Sequence, residues 1–432
     1  MTRHVAVIGA GAVGVMCAIH ALRAGHRVTI VEPESPGGEQ AASFGNSGWL
    51  SSHSVIPPAE PGVWRKVPGY LADPLGPIAI RWRYLPRATP WLVRYVASAA
   101  TPQRLLATAR ALRTLLVDAP KLHAELAASA GVPDLVVQSG VLHVYRSKAA
   151  FERDALGWEV RRSVGVRYET IEGDALRAQE PDLAADYAFA VRVAEAGHCR
   201  DPSAYVHALF VHARSLGAEH VAARATGFQI ERSRVRAVRT QSGDIDCDAA
   251  VIAAGIRSRA LAAAAGDRVP LETERGYHVQ IAGAEGGPRT PMMVMDRKIV
   301  ATHMTGGLRV GGQVEIAAPD DAPDWRRADI LRRHALDIFP ALPRDLPPGR
   351  MTRWMGRRPS LPDGLPCIGR STASADVLYA FGHGHVGLAG SARTGRVIAE
   401  LLTGQPTDMP LAPFAAQRFR RSVPADVAEA TS

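Results

Sequence analysis

The stretch from Arg353 to Arg396 holds most of the side chains able to do chemistry: RWMGRRPSLPDGLPCIG and, after a short apolar run, FGHGHVGLAGSARTGR. An arginine pair, a Pro/Asp/Gly turn, two histidines and a glycine-rich helix start stand together there. More than three hundred residues upstream, Gly9-Ala10-Gly11-Ala12-Val13-Gly14 follows the β-branched run HVAVI. In such a turn Gly9 permits the tight bend, Gly11 lets the backbone approach a pyrophosphate, and Gly14 lets helix and sheet pack closely. The helix that follows offers amide donors and a positive dipole end to phosphates. Glu32 closes the next apolar run, 18 residues after Gly14. A carboxylate there accepts hydrogen bonds from both ribose hydroxyls and disfavours a ribose phosphate, and so NADP.

This turn does not separate NAD from FAD, since both carry the adenosine diphosphate half. Residues 43–52 (SFGNSGWLSS) form a small-polar loop soon after Glu32. Ser43, Asn46, Ser47, Gly48, Trp49 and Leu50 can line an extended cofactor there, or form a plain surface loop. Near the C-terminus, Gly384, His385, Val386, Gly387 and Leu388 open a second helix. Its first amides can stabilise negative charge on a reduced flavin, a use better suited to a tightly held flavin than to an exchanging nicotinamide. His383 and His385 face a substrate, or else bond the backbone of the helix start.

The elements that must position these residues are legible from apolar periodicity. Residues 4–8, 12–24 and 27–31 read as a βαβ start on a parallel sheet. Runs 249–253 and 377–381 read as two more buried strands running into glycine, the first followed by Ala254 and Gly255. A long helical pattern covers 103–130, and strand-like pieces fall at 134–145, 186–194, 275–281, 292–302 and 307–316. The expected fold is α/β: a discontinuous Rossmann-like nucleotide domain at 1–60, 200–265 and 350–415, interleaved with a largely antiparallel substrate domain at 61–199 and 266–349. Residues 422–432 read as a frayed tail.

A chain of 432 residues with 47% hydrophobic and 22% charged residues is globular and long enough for two domains. Cys17, Cys199, Cys247 and Cys367 are scattered, as expected of reduced, buried thiols, and suggest neither disulfides nor a metal site. The net charge of +9 comes from basic residues spread along the chain without long blocks or nucleic-acid signatures, so nucleic acid is not an expected partner. No secretory or membrane-spanning run is evident, and the expected location is cytoplasmic.

These pieces together resemble the D-amino-acid dehydrogenase branch of the D-amino-acid oxidase and glycine oxidase family of flavoproteins. The resemblance rests on VAVIGAGAVG, ASFGNSG, VIAAGIRSRAL at 251–261, ERGYHVQI at 274–281, LRVGGQVEI at 308–316, and the two C-terminal motifs. GHCRDPSAYVHAL at 197–209 fits the return from substrate to nucleotide domain. The resemblance implies FAD, with Thr226 contacting the adenine side through its backbone. It also implies oxidation of an amine beside a carboxylate, hydride passing from the α-carbon to flavin N5. D-amino acids are the expected substrates, with D-proline or hydroxyproline types as a close variant. The absence of cysteine from GHGHVG implies non-covalent flavin.

By resemblance to glycine oxidase, Arg358 in GRRP is the expected carboxylate clamp. Tyr277 in RGYH is the expected hydroxyl donor or aromatic wall. His385 stands where glycine oxidase-like proteins place a substrate-contacting residue, although the arginine of glycine oxidase is absent. Leu361 stands where animal D-amino-acid oxidases carry their carboxylate-binding arginine. Arg275, Arg353 and Arg357 therefore remain as substitutes for Arg358.

The family branch passes electrons to quinone or a carrier. Residues 76–96 interleave Trp82, Tyr84, Trp91 and Tyr95 with Arg81, Arg83, Arg87 and Arg94. That pattern suits peripheral contact with the inner face of a membrane, or else a helix packed inward. The rival readings are an oxygen-using oxidase of glycine or sarcosine, a flavin module acting on RNA, and a subunit of a larger dehydrogenase.

Overall fold

The computed structural model describes residues 1–420 except 60, 74, 99 and 348. The expected frayed tail lies outside the described residues. The elements that position the site are, in chain order, β1 (His4–Ile8), α1 (Ala12–Arg23), β2 (Arg27–Val31), α2 (Leu85–Ser98), β3 (Glu219–Val221), β4 (Ala249–Ile252), β5 (Glu272–Ile281), β6 (Gly307–Ile316), β7 (Met351–Ser360), β8 (Cys367–Arg370), β9 (Val377–Phe381) and α3 (Gly387–Thr403).

One sheet has the order β3-β2-β1-β4-β9-β8, parallel except for the edge strand β8. Its strands are apolar on both faces because both are covered. Val5, Val7, Ile30 and Val251 face the helices, while Ala6, Ile8, Ala250 and Ile252 face a three-stranded antiparallel sheet beginning at Ala225. Helices α1 and α3 approach so closely that a Cβ on Gly395 would lie 2.7 Å from the Met16 backbone.

The second sheet has nine strands, mostly antiparallel, with β7-β5-β6 at one end. Its far face packs on the helix Arg326–Ile338 through Tyr277, Val279, Leu331 and Ala335. The near face of β5 and β7 looks toward the first domain.

Two expectations change. The single helical pattern over 103–130 is two helices, Pro102–Leu116 and Ala119–Ser129, parted at Val117 and Asp118 with Pro120 in the first turn of the second. Both pack Leu105, Leu112, Leu115 and Leu126 into the core under α1 and α3, although this segment was assigned to the substrate domain. Burial of an apolar stripe against the nearest apolar helices decides that placement. All four cysteines are free and buried.

Candidate active site

At the nucleotide end, Gly9 adopts φ +108°, and a Cβ there would lie 2.5 Å from the Ala253 carbonyl oxygen at the end of β4. A Cβ on Gly14 would lie 1.9 Å from the Gly9 carbonyl oxygen, so only glycine lets α1 start against β1. The Glu32 carboxylate accepts hydrogen bonds from the Ala10 amide at 3.0 Å and the Glu34 amide at 3.2 Å, which hold it at the end of β2. Ser43 Oγ is buried without a hydrogen-bond partner among the described residues, about where a Cβ on Gly11 would meet it at 3.9 Å. An orphaned hydroxyl beside a glycine-lined helix start fits a pyrophosphate: the ligand supplies the acceptor that the protein withholds. These residues fit the adenosine diphosphate half of FAD.

The loop that follows is clamped from the substrate domain. Buried Arg309 on β6 donates to the carbonyls of Phe44 (3.2 Å) and Asn46 (2.7 Å) and to Gln280. Burial pulls its pKa down to about 10. His278 Nδ1 lies 3.0 Å from the Gly45 carbonyl, and its ring stacks on Trp354. The Ser47 hydroxyl faces Gly311 of β6 at 2.6 Å from a Cβ position there, and Asn46 Oδ1 accepts from the Gly48 amide. Leu50 is fully buried in the core, and Trp49 packs its ring toward His53 and His143. The Leu50 side chain is thus unavailable to a ligand, whereas the Trp49 indole nitrogen is buried with no hydrogen-bond partner among the described residues.

On the far side of the first domain, Thr226 is the second residue of a strand of the three-stranded sheet, with its hydroxyl donating to the Arg239 carbonyl. Ala254 and Gly255 form the turn after β4. Gly384 to Val386 form a short turn of helix leading into α3, and Val386 and Leu388 are buried in the core. Their side chains are therefore not available to a ligand, and the Val386 amide already donates to the His383 carbonyl at 3.0 Å.

The chemistry-bearing end forms where β5, β7 and the start of α3 meet. Glu274, Gly276 and His278 share one face of β5 with Arg358, Gly356 and Trp354 of β7, to which they pair directly. The Arg358 guanidinium lies over Gly276, where a Cβ would come within 2.1 Å of Nη1. That Nη1 is enclosed and has no hydrogen-bond partner among the described residues. Burial lowers the Arg358 pKa, opposed by the nearby Glu274 carboxylate. A half-buried guanidinium with an enclosed, unmet donor is a receptor for an anion with paired oxygens.

Glu274, which the sequence motifs did not single out, is 5% exposed. His385 Nε2 lies 2.8 Å from its Oε2, and the Ser360 hydroxyl donates to the same oxygen at 3.0 Å. Burial raises the Glu274 pKa, but His385, Ser360 and Arg358 together carry it below the ordinary carboxylate value. The signal that could have found it is a carboxylate two residues before Gly276 in ERGYH, in a strand otherwise suited to full burial.

Strand alternation sorts the remaining candidates. Tyr277 points to the opposite face, with its hydroxyl donating to Glu315 at 2.7 Å and accepting from the Asp324 amide at 3.1 Å. Burial and that bond to Glu315 push its pKa up to about 12. The expected hydroxyl donor of the site is thus part of the substrate-domain interior, because its neighbours Gly276 and His278 take the site face. Arg275 is fully buried beside Glu315, Arg357 donates to the Pro319 carbonyl, and Arg353 stacks on Trp325, all on that far face. Arg358 alone of the four faces Glu274. His383 is 3% exposed and hydrogen bonded to Thr394 at 2.9 Å, with its pKa lowered to about 3 by burial. It supports the helix start, and only His385 reaches the site.

The match to known proteins follows this geometry. Residues 4–401 match the family model described as FAD dependent oxidoreductase (DAO). The chain belongs to this family. It is 59% identical over 417 residues to a D-amino-acid oxidase of Bradyrhizobium diazoefficiens, covering 96% of this chain and 99% of that one. It is 32% identical to a D-amino acid dehydrogenase of Cereibacter sphaeroides over 98% of this chain and 97% of that one. The glycine oxidase of Geobacillus kaustophilus has the same fold, with a TM-score of 0.73 at 20% identity, covering 97% of this chain and 100% of that one. The DAO-family chain is an FAD-dependent oxidoreductase that oxidises amino acids. Among the described residues no group of three or more metal-ligating side chains converges, and no helix is long and apolar enough to cross a membrane.

Proposed function

We propose that the protein oxidises D-amino acids, including cyclic D-imino acids, with non-covalently held FAD. The observation that carries this is Arg358, a half-buried arginine whose enclosed Nη1 has an unmet donor, facing the region between the loop at 43–50 and the start of α3. Both relatives above are named for D-amino acids, which supports the D configuration. When bound, FAD supplies the two-electron acceptor. Arg358 fixes the substrate carboxylate, Glu274 and His385 stand beside it as polar partners, and His278 and Trp354 wall off the loop.

Two electron acceptors are supported by different observations. Trp82 and Val93 are 65% and 62% exposed and flank Arg83, Arg87 and Arg94 on the outer face of α2 and the turn before it. That face suits an anionic membrane surface and a quinone within it. The name of the 59% identical relative supports oxygen instead.

Anaerobic addition of matched D- and L-amino acids tests the substrate class through loss of flavin absorbance. Bleaching by L-amino acids alone would overturn the D assignment. Readmitting air or a soluble quinone to the reduced protein then decides the acceptor by the faster recovery of absorbance.

A further inference from the structure

Glu274 has a free side. Both of its hydrogen bonds fall on Oε2, and Oε1 makes none among the described residues. The side chain of Arg358, its cross-strand partner, makes no hydrogen bond among the described residues either, and its guanidinium lies over Gly276. Two residues along an extended strand span about 7 Å. An α-amino acid with one hydrogen bond at each end bridges such a gap, its carboxylate on Arg358 and its nitrogen toward Glu274. Resting on the amino-acid-oxidising reading above, we propose that Glu274 and His385 act as a pair that holds the substrate ammonium group and takes a proton from it before oxidation.

The need for this step is chemical. An ammonium nitrogen has no lone pair to stabilise the carbon that loses hydride, whereas a neutral amine does. One N–H bond of the ammonium breaks, the nitrogen keeps the electron pair, and the proton passes to the Glu274–His385 pair. No electron is transferred in this step. His385, whose side chain is 41% exposed, then returns the proton to solvent. A histidine half in water and half on a buried carboxylate suits that exchange. The groups facing Glu274 are Arg358 and Ser360 from β7 and His385 from the turn before α3, with Glu272 two residues away on the same face of β5. Glu272 itself accepts from the Tyr84 hydroxyl at 2.9 Å.

The test uses the FAD-loaded enzyme and its Glu274→Gln variant with two unreactive probes. 2-Aminoisobutyrate carries amine and carboxylate but no α-hydrogen, and isobutyrate lacks the amine. Calorimetry should show 2-aminoisobutyrate binding weakened about tenfold or more in Glu274→Gln, with isobutyrate binding unchanged. Anaerobic reduction by the best amino acid should be flat in pH for the wild type between about pH 7 and 9, and should rise about tenfold per pH unit in the variant, which depends on amine already neutral in solution. Equal loss for both probes, or an unaltered pH profile, would overturn the proposal. If Glu274→Gln does not load FAD, His385→Gln carries the pH test with the same expected steepening, and a flat profile overturns it. Failure of the parent reading looks different: wild-type flavin would then be reduced by no amino acid at any pH.

Discussion

Glu274 and Arg358 are directly paired across β5 and β7, yet no side-chain hydrogen bond joins them. The carboxylate turns to His385 and Ser360, and the guanidinium is left with an enclosed, unmet Nη1. Two opposite charges held side by side without neutralising each other form a receptor for a zwitterion.

Arg358→Ala should keep FAD content and thermal stability near wild type but cost about 2–4 kcal/mol of substrate interaction, on the order of a hundredfold in kcat/KM. Arg358→Lys should recover part of it, because a point charge cannot bind bidentately. Unchanged saturation in a stopped-flow reduction series would remove Arg358 from the site.

Tyr277→Phe should behave in the opposite way. Its hydroxyl serves Glu315 in the domain interior, so the variant should lose about 1–3 kcal/mol of stability in a denaturant titration. Flavin reduction kinetics should be unaltered. A loss confined to substrate binding would return Tyr277 to the site.

Ser43→Ala should leave the FAD-free protein as stable as before, since the hydroxyl has no protein partner to lose. Its FAD dissociation constant should rise about tenfold, read by fluorescence titration of the apoprotein. Gly14→Ala should instead block the turn itself through the 1.9 Å contact with the Gly9 carbonyl, and yield no FAD-binding protein.

Acid should weaken the fold above the carboxylate range. Burial lowers the pKa of His278 and His383 to about 3 and of His123 to about 4, from an ordinary value of 6.5. As pH falls below 6.5 the unfolded chain takes up protons that the folded chain refuses, so stability falls with pH through this window. Each such histidine costs about 1.4 kcal/mol per pH unit. Chemical denaturation at pH 7 and pH 5 should show the drop, and His383→Gln should make it shallower.

Trp82→Ala combined with Arg83→Glu and Arg87→Glu should abolish flotation with phosphatidylglycerol vesicles if α2 docks on lipid, each lost basic contact being worth about 1 kcal/mol. Reduction of the flavin by a D-amino acid should be untouched. Failure of the wild type to float would remove the membrane face.

The nucleotide end was legible because its determinants are contiguous. Gly9, Gly11 and Gly14 act through backbone geometry inside one turn, and Glu32 follows by one strand length, so spacing alone implies the site. The apolar runs likewise announce the strands of the parallel sheet, since a strand buried on both faces must be apolar throughout. The division of the long helical pattern at 103–130 was less legible, because periodicity continues across Val117 and Asp118 while the backbone turns.

The substrate end depended on tertiary structure. Arg275, Arg353, Arg357 and Arg358 are equivalent as residue types, and a one-residue difference in strand position sends a side chain to the opposite face. The β5–β7 register turns Arg358 toward Glu274 and sends the other three, with Tyr277, to the far face. Glu274 was invisible as a functional residue until the turn before α3 brought His385 to it from 111 positions away along the chain. Local sequence sets what a turn or a strand can do. Pairing across the sheet decides which charges meet, because no short stretch of chain carries that information.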